Sequence, residues 1–274
     1  MSQVWLNGAC VATEKARIDP SDRGFLLGDG AFETMRFEAG EIRRWPRHRA
    51  RLQAALAALE ITPPDGRALE GAASELCRAQ GLDAAVVRLT VSRGALGGGM
   101  TAQDDVAPTV LMTARALPQR PTSLSAQIID DARRDARNLS SRHKLTGYAD
   151  MLGARRAAQR AGADMALVLS SDGSVSSADS ANLFWVKQGV VFTPSLACGC
   201  LPGTTRIALI EALKAREVHV QEGEYAPSDM FAADWVFVTN AVSGLTPLSR
   251  IDAQTFTLPT ADTTVFQAVC DAAF

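Results

Sequence analysis

Arg142-His143-Lys144-Leu145-Thr146-Gly147-Tyr148 is the stretch on which the reading of this chain turns. Lys144 is one of four lysines, with Lys15, Lys187 and Lys214, among 28 Lys and Arg residues. A chain that supplies its basic charge almost entirely with arginine has little generic use for a lysine in mid-sequence. An amine condenses with carbonyls and shifts its pKa on desolvation, and a guanidinium does neither. A solvated loop charge is the commoner state of an arbitrary lysine. The surroundings have to decide between the two.

Immediately downstream, the alanines and arginines of Tyr148 to Gln159 predict a helix, so Lys144 sits just before a helix and outside regular structure, where reactive side chains are often presented. Met165 to Leu169, Val175 to Ser177, Leu183 to Val186 and Val190 to Thr193 then read as strands, punctuated by Asp172-Gly173 and Gln188-Gly189. Upstream, Ala126 to Ile129 is a strand, and before it Leu117-Pro118-Gln119-Arg120-Pro121-Thr122 carries two prolines and no periodicity. A domain boundary is placed there, with 1–116 a small N-terminal α/β domain, 117–122 a linker, and 123–274 a larger C-terminal domain carrying Lys144.

The first half mixes hairpins and helices and is α+β in character. Asn7-Gly8 joins two short strands, because both residues tolerate the positive φ of a tight turn. Ala31 to Phe37 and Ile42 to Trp45 flank Glu38-Ala39-Gly40 as a second hairpin, and Pro46 opens a helix with Leu52, Leu56 and Leu59 on one face. A further helix runs from about Arg67 to Gly81, and strands follow at Ala85 to Ser92 and Thr109 to Thr113.

At 274 residues and 47% hydrophobic, the chain can bury a sizeable core. A net charge of −2 without long like-charge runs argues against nucleic acid as a partner. No apolar run approaches membrane-spanning length, and Met1 to Trp5 has no basic start followed by an apolar segment, so a soluble, cytoplasmic protein acting on a small molecule is expected. Cys10, Cys77, Cys198, Cys200 and Cys270 are odd in number and scattered, and read as small buried hydrophobes. The Cys198-Gly199-Cys200 pair lacks histidines at suitable spacing, so no metal site is expected.

A second cue is Leu201-Pro202-Gly203-Thr204-Thr205-Arg206, just before the apolar periodicity of Ile207, Leu209, Ile210 and Leu213. A glycine and two hydroxyl residues at a helix N-terminus make an anion site, since free N–H groups and the helix dipole converge there. An ordinary threonine N-cap is the competing reading. A carbonyl-reactive lysine together with a phosphate cradle is what pyridoxal phosphate requires of a protein.

These residues and others in the same order resemble the fold-type IV pyridoxal-phosphate enzymes, the class IV aminotransferase family of branched-chain aminotransferases, D-amino-acid aminotransferases and 4-amino-4-deoxychorismate lyases. The resemblance runs nearly end to end. It takes in Asp22-Arg23-Gly24-Phe25, Gly28-Asp29-Gly30-Ala31-Phe32-Glu33-Thr34, His48-Arg49-Ala50-Arg51-Leu52, Ser92-Arg93-Gly94 and His143-Lys144. It continues through Ala163 to Leu169, Ala181-Asn182-Leu183-Phe184-Trp185, Gly203-Thr204-Thr205-Arg206 and Thr239-Asn240-Ala241. It implies two α/β domains with pyridoxal 5'-phosphate between them, and a homodimer. It also implies that Lys144 carries the cofactor and moves the proton, that Arg51 grips the phosphate, and that Gly203, Thr204, Thr205 and Ala241 complete the phosphate site.

One position departs from the family. Its strand Val-Thr-Glu reads Val175-Ser176-Ser177 here, so Ser177 stands where an acid pairs with the pyridine nitrogen. A carboxylate there keeps the nitrogen protonated and the ring a strong electron sink; serine offers only a neutral hydrogen bond. Asp179, two residues on, is an alternative partner if the strand continues. A weaker sink disfavours transamination and suits an elimination driven by aromatisation. The resemblance therefore leans to the lyase that makes 4-aminobenzoate and pyruvate, with a D- or branched-chain aminotransferase second and a cofactor-binding member without turnover third. The arginines that relatives carry after Arg93-Gly94 are replaced by Leu96-Gly97-Gly98-Gly99-Met100. Thr34 and Arg36 are the remaining candidates for substrate contact, an ion pair being the structural alternative for Arg36.

Overall fold

The computed structural model describes residues 2–96, 99–101 and 106–258, with 267 and 269; Gly97, Gly98 and Cys270 lie outside the described residues. The chain divides into two compact units. The first comprises Met1–Pro118 and His143–Gly147, the second Gln119–Arg142 and Tyr148–Phe274.

The first unit contains β1 (Gln3–Leu6), β2 (Ala9–Ala12), α1 (Arg23–Leu27), β3 (Gly30–Glu38), β4 (Glu41–Ile42), α2 (Trp45–Ala58), α3 (Gly66–Ala79), β5 (Ala84–Ser92) and β6 (Thr109–Ala116). Its strands form an antiparallel sheet in the order β2-β1-β6-β5-β3-β4. Alternation decides which face is covered. Ala31, Met35 and Phe37 of β3 and Ala85, Val87, Leu89 and Val91 of β5 pack with Leu52 and Leu56 of α2 and Leu69, Ala73 and Leu76 of α3. The other face carries Phe32, Thr34, Arg36, Arg88 and Thr90. Asn7 and Gly8 take φ of 46° and 107° in the two-residue turn between β1 and β2. The strand expected over Ile42 to Trp45 stops at Ile42. Arg44 adopts a left-handed φ of 57°, and Trp45, buried in the core, becomes the first residue of α2 with Pro46 in its first turn.

The second unit contains β7 (Leu124–Arg134), α4 (Leu139–Arg142), α5 (Ala149–Arg160), β8 (Met165–Ser170), β9 (Val175–Ala178), β10 (Asn182–Lys187), β11 (Val190–Pro194), α6 (Thr204–Ala215), β12 (Val220–Gly223), α7 (Pro227–Phe231), β13 (Trp235–Asn240), β14 (Gly244–Ile251) and β15 (Gln254–Thr255). Its sheet runs β12-β11-β10-β13-β14-β7-β8-β9, with β15 on β14. The pairs β11/β12, β14/β7 and β7/β8 are parallel and the others antiparallel, giving a mixed sheet. Both faces of its centre are covered. Leu183 and Trp185 join Val236, Val238 and Leu248 in one core, while Phe184 and Val186 join Leu209 and Leu213 of α6 in another. That is why β10 reads as an unbroken apolar run. α5 packs Met151, Ala154 and Ala158 against Ala166 and Val168. β7 extends well beyond the expected Ala126 to Ile129, through polar Asp130 and Asp131, because after a register shift past Ile128 it pairs with β8 again at Arg133 and Arg134.

The segment carrying Lys144 belongs with the first unit, although 123–274 was expected to hold it. Phe32 N–H donates to the Lys144 carbonyl at 3.0 Å and Thr146 N–H to the Gly30 carbonyl at 2.9 Å, so Leu145 bridges Ala31 as an antiparallel partner of β3. Leu145 also packs against the first unit's core. Non-local backbone pairing of this kind leaves no mark in local sequence.

Candidate active site

β3 delivers different chemistry to its two faces. On the open face, the Lys144 ammonium lies 4.2 Å from the centre of the Phe32 ring and the Arg88 guanidinium carbon 3.8 Å from it. Both distances are in the range where a cation is attracted to the ring's negative face. Lys144 is held by its backbone as well. Thr146 Oγ1 donates to the Gly28 carbonyl at 2.6 Å and lies 3.1 Å from that of Gly30, so the lysine's short segment is stitched to the start of β3.

On the covered face, Glu33 is fully buried and holds two residues of α2 one turn apart. Arg51 donates through Nε to Glu33 Oε1 at 2.8 Å and through Nη2 to Oε2 at 2.6 Å, a bidentate fork. His48 Nδ1 lies 2.6 Å from Oε2. Burial alone would raise the Glu33 pKa, but the Arg51 charge and the hydrogen bonds from Arg51 and His48 outweigh it and hold the carboxyl at about 2. Ionised, Glu33 only accepts, so His48 Nδ1 carries the proton of that bond. Arg51 is thereby fixed as a cation in one orientation. The sequence singled out Arg51 but not Glu33, although an acid on the apolar face of a strand is the signal that finds it.

Thr34 and Arg36 follow Phe32 on the open face. Thr34 is opposite Arg88 across the sheet, and Arg36 pairs with Glu38 at 2.7 Å. The ion pair anticipated as the alternative for Arg36 is present. Arg23 and Arg93, both motif residues, bind the Asp29 carboxylate at 2.9 and 2.7 Å and are structural.

The second unit holds the other candidates. Gly203 is the N-cap of α6, with φ −68° and ψ 137° and no side chain capping the helix. Thr204 and Thr205 form its first turn and are buried. Arg206 turns to structural partners, donating through Nη2 to the Pro194 carbonyl at 2.9 Å and to Glu222 at 2.8 Å. Ala241 follows β13 in a turn fixed by Asn240, whose Oδ1 accepts from Val242 N–H at 2.9 Å and Ser243 N–H at 2.8 Å.

Ser177 is 3% exposed on β9, opposite Val168 of β8, just past a register shift that leaves Ser176 without a partner in the ladder. The Ser177 hydroxyl has no hydrogen-bond partner, and neither have those of Thr205 and Thr239. Asp179 is engaged by the protein itself. Its Oδ2 accepts from Arg155 Nε at 2.7 Å and from Ala166 N–H at 2.8 Å, and its Oδ1 accepts from Arg155 Nη2 at 2.5 Å. β9 ends at Ala178, and Asp179 is only 4% exposed, bound to α5 and β8.

Buried hydroxyls without partners cost free energy and call for a ligand or a reason. Here they sit in the first turn of α6 (Thr205), on β9 (Ser176 and Ser177) and on β13 (Thr239). These are the donors that a phosphate ester and a neutral pyridine nitrogen take, so the residues fit pyridoxal phosphate. When bound, that cofactor withdraws electrons from the amine-bearing carbon of a substrate. Among the described residues no His, Cys, Asp and Glu group could hold a metal ion, and no helix is long and apolar enough to cross a membrane. Burial pushes the Cys77 and Cys200 thiols up to about 11, so neither is a ready nucleophile.

The model of the class IV aminotransferases matches residues 30–251, and the chain belongs to that family. It is 32% identical over 255 residues to an aminodeoxychorismate lyase of Bacillus subtilis, covering 91% of this chain and 86% of the relative. It is 28% identical over 254 residues to an aminodeoxychorismate lyase of Vibrio harveyi, covering 91% of each. A T.th. branched-chain amino acid aminotransferase, solved in complex with N-(5'-phosphopyridoxyl)-L-glutamate, superposes with a TM-score of 0.89 at 27% identity, over 99% of this chain and 92% of that one. The mixed α and β architecture is thus the fold-type IV fold, and family membership makes the chain a pyridoxal-phosphate enzyme of the lyase or aminotransferase kind.

Proposed function

We propose that this chain is an aminodeoxychorismate lyase, converting 4-amino-4-deoxychorismate to 4-aminobenzoate and pyruvate with pyridoxal 5'-phosphate on Lys144. In this reading Arg51 and the turn Gly203-Thr204-Thr205, with Ala241, take the phosphate, and Ser177 meets the ring nitrogen. Freed from the cofactor by the incoming substrate amine, Lys144 Nζ would remove the proton at the amine-bearing ring carbon. The enolpyruvyl ether bond then breaks as the ring becomes aromatic, and pyruvate leaves after its enol gains a proton. The observation that carries this reading is the contrast between Ser177 and Asp179: the hydroxyl is buried and unpartnered, while the carboxylate two residues on is bound by Arg155 and Ala166. A neutral partner suits an elimination whose driving force is aromatisation more than it suits transamination, which needs a strong electron sink. Arg88, beside the same ring as Lys144, is a cation suited to a substrate carboxylate, with Thr34 next to it.

The cytoplasmic homodimer belongs to the same proposal. Its dimeric part is supported by the apolar surface of residues 18–27, where Phe25 is 78% exposed and Ile18, Leu26 and Leu27 are between 44% and 48% exposed. Ile18 and Phe25 line one cavity of about 440 Å³ in the first unit. The decisive experiment supplies 4-amino-4-deoxychorismate to the purified, cofactor-loaded protein and follows 4-aminobenzoate and pyruvate. Equal release of both is expected. Keto-acid exchange with D- or branched-chain amino acids and no aromatic product would identify an aminotransferase, and cofactor binding with neither reaction a member without turnover.

A further inference from the structure

Gly203 is a glycine for reasons of space. Its φ of −68° and ψ of 137° are open to any residue, yet a Cβ built there would overlap Asn182 Oδ1. Asn182 is 7% exposed and is the first residue of β10, opposite Thr239 of β13. Its other amide atom, Nδ2, donates to the Leu201 carbonyl at 2.8 Å. One short, buried side chain therefore holds Leu201 through a hydrogen bond and backs directly onto the α-carbon of Gly203. The Gly203 carbonyl accepts the first backbone bond of α6, from Ile207 N–H at 2.9 Å. The consequence is mechanical: the amide of Asn182 fixes the turn Leu201-Pro202-Gly203 and with it the position of the first turn of α6 relative to the sheet. That first turn contains Thr205, a residue 2% exposed whose hydroxyl is unpartnered, and directly opposite Asn182 the Thr239 hydroxyl is unpartnered too.

We infer that Asn182 is the positioning residue of the anion site at the N-terminus of α6, holding the Gly203 turn so that the helix's first N–H groups and the Thr205 hydroxyl receive a phosphate ester. A carbonyl–amide bond set into the edge of a rigid strand is how such a site is kept within the few tenths of an ångström that charge-assisted hydrogen bonds demand. This role for Asn182 rests on the cofactor reading proposed above, and the test separates the two.

Full-length apoprotein is titrated with pyridoxal 5'-phosphate and with pyridoxal, which lacks the phosphate, following the absorbance of the bound chromophore. Wild type should prefer the phosphorylated ligand strongly. In Asn182→Ala the ratio of the two dissociation constants should fall by about tenfold or more, roughly what losing one charge-assisted hydrogen bond costs, while the affinity for pyridoxal itself changes by less than about twofold. Asn182→Asp keeps the size but turns the donor into an acceptor facing the Leu201 carbonyl. It should lose the preference at neutral pH and recover part of it as pH falls and the carboxyl is protonated. Gly203→Ala should mimic Asn182→Ala, and the double variant should lose no more than either single one, because both act on the same turn.

A ratio unchanged in Asn182→Ala and Asn182→Asp, equal weakening of both ligands, or costs that multiply in the double variant would overturn the assignment. Should Asn182→Ala lack a cooperative melting transition, Asn182→Asp and Gly203→Ala carry the test by the same criteria. A wild type without preference for the phosphorylated ligand removes the cofactor reading itself. A preference that survives the substitutions removes only the role of Asn182.

Discussion

At the scale of single residues, two buried groups set the chemistry in opposite ways. Ser177 has a hydroxyl without a partner, a local cost that a ligand would offset. Ser177→Ala is accordingly expected to leave the thermal midpoint of the apoprotein unchanged or raised, by the equivalent of up to about 1 kcal/mol, while weakening pyridoxal phosphate about fivefold, the scale of one neutral hydrogen bond. Calorimetry of the apoprotein and cofactor titration check the two halves separately, and a lowered midpoint would show the hydroxyl to be structural. Glu33 is the reverse, a carboxylate fully engaged by Arg51 and His48. Its pKa falls from 4.5 to about 2 on folding, worth roughly 3 kcal/mol at neutral pH. A depressed acid stabilises above its unfolded value, so this contribution should be complete above about pH 4.5 and vanish as pH falls through about 2. Denaturant titrations across that range should show a shallower slope in Glu33→Gln than in wild type, the remainder coming from other depressed carboxyls such as Asp29 and Asp164.

At the scale of elements, β3 is the organising strand. Its covered face places Glu33 against α2, its open face presents Phe32, and its first residues receive the Lys144 segment as an added partner. Thr146 is the side-chain lock on that addition, through the Gly28 and Gly30 carbonyls. Thr146→Val keeps the shape and removes the hydroxyl. Amide exchange at Phe32 and Thr146 should then quicken by about fivefold, matching the loss of roughly 1 kcal/mol of local hydrogen bonding. Exchange rates unchanged at these two amides would mean that the backbone bridge alone holds the lysine. The bulge at Ser176 is a second element-level device. It resets the register just before Ser177, so that Ser177 and Ala178 pair with Val168 and Leu167 of β8, and the strand ends there with Asp179 turned to Arg155.

At the scale of the molecule, each unit has its own core, and the first is discontinuous in sequence because it takes in residues 143–147. The exposed apolar residues of the 18–27 stretch are the surface on which the dimer proposal stands. Phe25→Asp places a charge at the most exposed of them. If a second copy covers this surface, light scattering should show the dimer weakened by at least about a hundredfold, as expected for a charge buried in an apolar contact. A dimer of unchanged affinity would put the interface elsewhere.

Much of this was legible in the sequence, since hydrophobic period and turn residues are local. Asn7-Gly8, the apolar run Leu183-Phe184-Trp185-Val186 and the helix after Gly203 all took the forms their patterns predict. The order of short motifs around Lys144 and Gly203 fixed the family, because spacing along a chain is a sequence property. What the tertiary structure alone decided is where buried charges and hydroxyls find partners. That Arg36 pairs with Glu38, that Asp179 is spent on Arg155, that Glu33 clamps Arg51 and that Asn182 keys the Gly203 turn are contacts between residues whose separation in sequence says nothing of their distance in space. The sequence by itself determined which chemistry is present; packing decided which of those groups are committed to the fold and which are left for a ligand, because a buried polar atom is satisfied only by what folding brings within hydrogen-bond reach.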